Sequence, residues 1–132
     1  MRTCVRVSIK GHPYRWFRAA LERRDLLCVR SAAAELGRVS LTDALSIVVL
    51  MAERDDRALD RAAARWLGRL LLERPSVTLS EARLALTALE TVAHDLDSAR
   101  ERLIDVCARH GLNDVVGLSR QPPPTRAADR RR

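Results

Sequence analysis

The chain predicts an all-α fold, and three observations carry that prediction. Hydrophobic residues make up 47 % of the sequence and are mostly Leu, Ala and Val, whereas aromatics make up 3 %. Leu and Ala are strong helix formers, and a core built from them needs few rings. Only five Gly and five Pro interrupt 132 residues, and three of the Pro stand together at 122–124. Finally, Val39-Ser40-Leu41-Thr42-Asp43-Ala44 returns 38 residues later as Val77-Thr78-Leu79-Ser80-Glu81-Ala82, every position identical or conservative. Self-similarity at a period of roughly 20–50 residues marks repeated supersecondary units.

The elements follow in order. Residues 2–10 alternate Thr3, Val5, Val7 and Ile9 with Arg2, Cys4, Arg6, Ser8 and Lys10. That period of two predicts an extended, strand-like arm over 1–12, either unordered, folded on the helices or added to a partner's sheet edge. Pro13 then suits the first position of a helix. The first hairpin is read as 13–24 and 25–36, with one long helix over 14–36 as the alternative. Trp16, Phe17, Ala20 and Leu21 make one apolar face, and Leu26, Leu27, Val29, Ala33 and Leu36 continue it. Asp25 is the expected cap of the second helix and Gly37 its stop.

Ser40-x-x-Asp43 opens the second hairpin as a capping box. From Ala44 to Met51 the residues are apolar nearly all round, so this helix is expected at the centre. Its partner, 56–73, has a stripe of Leu59, Ala62, Ala63, Trp66, Leu67, Leu70 and Leu71, with Arg57, Arg61, Arg65 and Arg69 opposite. Pro75 ends it. Thr78-x-x-Glu81 opens the third hairpin, which turns near His94-Asp95 and stops at Gly111. Residues 112–118 are a short apolar segment expected to pack down. The Pro- and Arg-rich residues 119–132 bury too little to order themselves, and a disordered tail is predicted. The domain is therefore expected to span 13–118.

Three antiparallel hairpins of about 38 residues resemble the helical-repeat class, such as tetratricopeptide or HEAT-type arrays, over about residues 13–110. The resemblance is one of period and architecture, since the tetratricopeptide consensus residues do not occur at their spacing. A closed five- or six-helix bundle is the rival, and the all-apolar helix at 41–53 suits it better.

The net charge of +7 is uneven. Residues 1–24 carry +6, residues 119–132 carry +4, and residues 25–118 carry −3. Of the 24 basic residues 23 are Arg, which together with the Ala, Leu and Val excess fits a GC-rich coding sequence. The longest nearly uncharged run, Ala44 to Ala52, is too short to cross a bilayer. The N-terminus turns polar at once, so no secretory leader is expected. A cytoplasmic protein with reduced thiols at Cys4, Cys28 and Cys107 is the expectation.

No constellation nominates a reaction. Cys107-x-x-His110 supplies two ligands where a zinc site wants four, so Cys107 is read as a small core residue and His110 as a helix-end cation. His94-Asp95-x-Asp97 lacks a neighbouring nucleophile and is read as a polar turn. Glu53, Asp55 and Asp56 are read as a solvated acidic turn. Trp16 and Trp66 belong to the core. No catalytic residue, cofactor, metal, membrane or small-molecule ligand is expected.

The expected function is a non-enzymatic helical interaction module. Arg57, Arg61, Arg65 and Arg69 are its candidate surface, because like charges at i, i+4 cost a few tenths of a kcal/mol per pair unless something meets them. The partner is another protein or a second copy, with Val115, Val116 and Leu118 finding cover in a dimer. The alternative is an accessory protein gripping nucleic-acid phosphates without sequence preference through Arg2, Arg6, Lys10, Arg130, Arg131 and Arg132.

Overall fold

In the computed structural model, residues 13–118 are described and form six helices: α1 (Pro13–Glu22), α2 (Leu26–Leu36), α3 (Leu41–Glu53), α4 (Leu59–Glu73), α5 (Leu79–Thr91) and α6 (Leu96–Arg109). No strand occurs among the described residues. The strand-like arm over 1–12 and the tail over 119–132 lie outside them.

Local chemistry sets the boundaries. The first hairpin is two helices, because the chain reverses at Arg24, whose φ is 57°, and the Asp25 carboxylate accepts the Cys28 amide at 3.2 Å. Gly37 follows α2 at φ 77°, a left-handed conformation that glycine adopts without penalty. At Thr78 a complete capping box forms: Thr78 Oγ1 accepts from the Glu81 amide at 3.1 Å, and Glu81 Oε1 accepts from the Thr78 amide at 2.9 Å. At Ser40 only half of the expected box forms. Ser40 Oγ accepts the Asp43 amide at 3.1 Å, but the Asp43 carboxylate is bonded instead to Arg18. Helix α4 starts at Leu59 rather than near residue 56, because Asp56 Oδ1 accepts the Ala58 amide at 2.9 Å in a side-chain turn.

Helix α3 is the centre. Nine of its 13 residues are buried, including Ser46 and Asp43, and it packs on α1, α2 and α4. The main core joins Leu45, Val48 and Val49 of α3 to Trp66 and Leu70 of α4, Leu89 of α5 and Leu103 of α6. Each fully buried Leu or Val contributes about 1.5–3 kcal/mol relative to exposure. A smaller cluster joins Phe17, Leu21, Cys28 and Val29 of the first hairpin to Leu50 of α3. The Trp66 indole N–H donates to Leu41 O at 2.9 Å, which ties α4 to the first turn of α3.

The residues after α6 close the assembly. Leu112, Val115 and Leu118 are buried in the main core. The Val116 amide donates to Ser46 Oγ at 2.9 Å, and Arg100 Nε donates to Gly117 O at 2.8 Å. Gly117 has φ 96° and lies so near α3 that a Cβ there would stand 2.8 Å from Val49 Cγ1. In an open array each unit touches only its neighbours. Here the segment that follows the third hairpin rests on the second and also reaches the first, where a Cβ at Gly117 would stand 3.0 Å from the Arg24 guanidinium, so the three hairpins form a compact bundle.

Two apolar residues are placed differently from their pattern: Leu27 and Leu71 are 48 % and 44 % exposed.

Candidate interaction surface

The arginine row on α4 is divided by the structure. Arg61 and Arg65 are exposed on α4, and Arg57 is exposed just before it. Arg57, Ala58, Asp60 and Arg61 line a shallow surface depression. Arg69 differs: it is half-buried, donates from Nε to Glu73 Oε2 at 2.8 Å, and faces a separate cleft with Arg38 and Arg74. The usable row is therefore Arg57, Arg61 and Arg65. Arg2, Arg6, Lys10, Arg130, Arg131 and Arg132 lie outside the described residues.

Beyond the arginines the exposed side of α4 turns apolar. Leu72 in its last turn is 84 % exposed and Leu79 at the start of α5 is 83 % exposed. They flank the short connection 74–78. The sequence pattern missed both, because each sits in an apolar-rich stretch and nothing local says which side meets the bundle. Val115, Val116 and Leu118, expected to find cover in a dimer, find most of it within the chain. Val115 and Leu118 are buried within the chain, and Val116 packs beside the first-hairpin cluster.

Two polar clusters join the hairpins, and both use the acid of the repeated hexapeptide. Asp43 is 3 % exposed and accepts from Arg18 Nη1 at 2.9 Å, with the Tyr14 hydroxyl 3.4 Å away. Burial and the Asp43 carboxylate raise the Tyr14 phenol above its ordinary range. Glu81 meets His110 Nε2 at 2.9 Å and Arg109 Nη1 at 3.3 Å. Its carboxyl is lowered to about 2, first by the Thr78 amide and then by His110. Ser76 Oγ stands 3.4 Å from His110 Nδ1. The serine, imidazole and carboxylate are thus aligned, but Glu81 is at once part of a helix cap, which gives the cluster a structural task. The acidic turn after α3 also holds the first hairpin: Glu53 pairs with Arg24 at 2.6 Å and Asp56 with Arg30 at 2.9 Å.

Cys107 is a free, buried thiol pushed up to about 12 by burial, so it is neither a ready nucleophile nor a ready metal ligand. Cys28 is buried in the first-hairpin cluster with Phe17 and Val29. Asp95 caps α6 by accepting the Ser98 amide at 3.1 Å, which gives the His94–Asp97 stretch its place as a turn. Among the described residues no group of three or more His, Cys, Asp or Glu is placed to hold a metal ion, and no helix is long and apolar enough to cross a membrane.

No protein-family model matches the chain, and no curated protein and no solved structure is detectably similar to it.

Proposed function

We propose that this protein is a non-enzymatic α-helical interaction module whose contact surface is the outer side of α4 continued onto the start of α5. The observation that carries the reading is the pair Leu72 and Leu79, each more than four-fifths exposed, beyond a row of three exposed arginines. Large exposed apolar residues beside arginine are the composition of a contact surface, where Arg is enriched and leucine gains from being covered. The partner that fits is a protein surface with both apolar and acidic residues. A second copy of the chain is the simplest candidate.

Light scattering over a concentration series, together with affinity capture, tests the reading. The full chain is compared with Leu72→Asp/Leu79→Asp and with Arg61→Glu/Arg65→Glu. An oligomer, or a captured partner, that both variants lose supports it. A chain that stays monomeric and captures the same proteins as both variants overturns it.

One observation favours nucleic-acid binding as the second reading. Residues 13–118 contain 16 basic and 16 acidic residues, so the whole positive excess sits outside them. Phosphate contacts make affinity fall steeply with salt. Salt-sensitive duplex binding by the full chain, absent from a 13–118 fragment, supports that alternative.

A further inference from the structure

We infer that the cleft between the α2–α3 loop, the end of α4 and the residues following α6 binds a phosphoryl-type oxyanion through Arg38, Arg69 and Arg74. The inference goes beyond the proposed contact surface and does not depend on it, since Arg57, Arg61 and Arg65 do not line this cleft.

The cleft has a volume of about 370 Å³, within the range of small-ligand sites. Three guanidinium groups and one carboxylate, Glu73, line it. That leaves an excess of two positive charges, matching a dianion. The Glu73 carboxyl is held below its usual range, chiefly by the hydrogen bond from Arg69, with further lowering from the charges of Arg69, Arg38 and Arg74. The three cations line one cleft, and the Glu73 carboxylate already rests there.

The donors are held but not used up. A guanidinium carries five N–H donors. Arg69 spends one on Glu73. Arg74 donates from Nε to His110 O at 3.2 Å and from Nη1 to Glu73 O at 3.3 Å. These bonds cover the carbonyl ends of α4 and α6, which would otherwise repel an anion. Arg38 makes no hydrogen bond to the other described residues.

The start of α3 forms another wall, with Ser40 and Thr42 lining the cleft. The first amides of a helix have no intrahelical acceptor, and its amino-terminal end favours anions. The acid of that first turn, Asp43, does not offset this, because Arg18 holds it and it does not line the cleft. The bond from Trp66 to Leu41 O fixes this wall against α4. Three arginine forks suit the several oxygens of a phosphoryl group better than the two of a carboxylate.

The test is a titration of the full, ¹⁵N-labelled chain with inorganic phosphate, and separately with O-phosphoserine, at constant ionic strength against sodium chloride. The expected result is saturable amide shifts confined to residues 38–42, 74 and 111. Arg38→Gln should weaken binding about tenfold, the equivalent of one charge-assisted hydrogen bond. Arg61→Gln should bind like the parent. Arg38→Gln removes no described bond, and an unchanged thermal midpoint verifies that it folds. Arg69→Lys, which keeps the charge but loses the fork, is the second variant and should also weaken binding. Tighter binding of O-phosphoserine than of phosphate assigns the site to an esterified group, and the reverse to the free ion. Equal shifts with chloride, shifts spread over residues 57–65, or parental affinity in both Arg38→Gln and Arg69→Lys overturn the inference.

Discussion

Asp43 and Glu81 occupy the same position of the repeated hexapeptide and do different work. Glu81 reaches back to its own cap and out to His110 and Arg109. Asp43, one methylene shorter, leaves its cap incomplete and holds Arg18 of the preceding hairpin. Arg18→Ala should strand a carboxylate that is 3 % exposed and cost about 3 kcal/mol, read from the urea midpoint. An effect below about 0.5 kcal/mol, the level of a surface pair, would show that the contact is not maintained. Trp66→Ala removes a buried ring as well as the bond to Leu41 O, and a loss of about 3–5 kcal/mol is expected in the same assay. Trp66 was legible as a core residue from its spacing. The Arg18–Asp43 pair was not, because the two residues lie on different hairpins and both match patterns that have local explanations.

At the scale of elements, caps decide where helices begin, and they were the most readable feature of the chain. Asp25, Ser40, Thr78 and Asp95 each accept a main-chain amide three residues on. Thr78→Ala should lower stability by about 1 kcal/mol. The Glu81 carboxyl gives that box a pH dependence. Its ordinary value is 4.5 and its folded value about 2, so the unfolded chain takes up the proton more readily. The resulting stabilisation is complete above about pH 4.5 and is lost as the pH falls towards 2. Urea midpoints between pH 5 and 2 should therefore fall less for Glu81→Gln than for the parent; parallel curves would contradict the assignment. The start of α4 was misplaced by about three residues because Asp56 forms a turn with Ala58 instead of capping a helix. Asp supports both arrangements, and only its neighbours select between them.

For the whole molecule, closure is the feature that matters. Residues 112–118 return to α3 of the second hairpin and reach Arg24 of the first, and this makes a compact bundle out of what the 38-residue period would equally allow as an open array. Gly117→Ala tests the closure. The substitution puts a Cβ at φ 96° and 2.8 Å from Val49 Cγ1, so a loss of about 1–3 kcal/mol is expected from thermal or urea unfolding. Full stability in the variant would mean that the segment does not rest on α3. The same packing buries Val115 and Leu118 within the chain, whereas Leu72 and Leu79 are the most exposed large apolar residues among those described.

By itself the sequence determined that the chain is helical, that its helices come in hairpins, where most of them start and stop, and that the 41–53 helix is central. These properties rest on backbone hydrogen bonding and 3.6-residue periodicity, which act between residues close in the chain. Only the tertiary structure decided which leucines stay in water, that Arg69 leaves the arginine row to join Arg38 and Arg74, and that residues 112–118 pack across the hairpins. Those outcomes depend on which surfaces meet across tens of residues, and the burial of one apolar face against another is non-directional. Composition can require it, but it does not say with which partner.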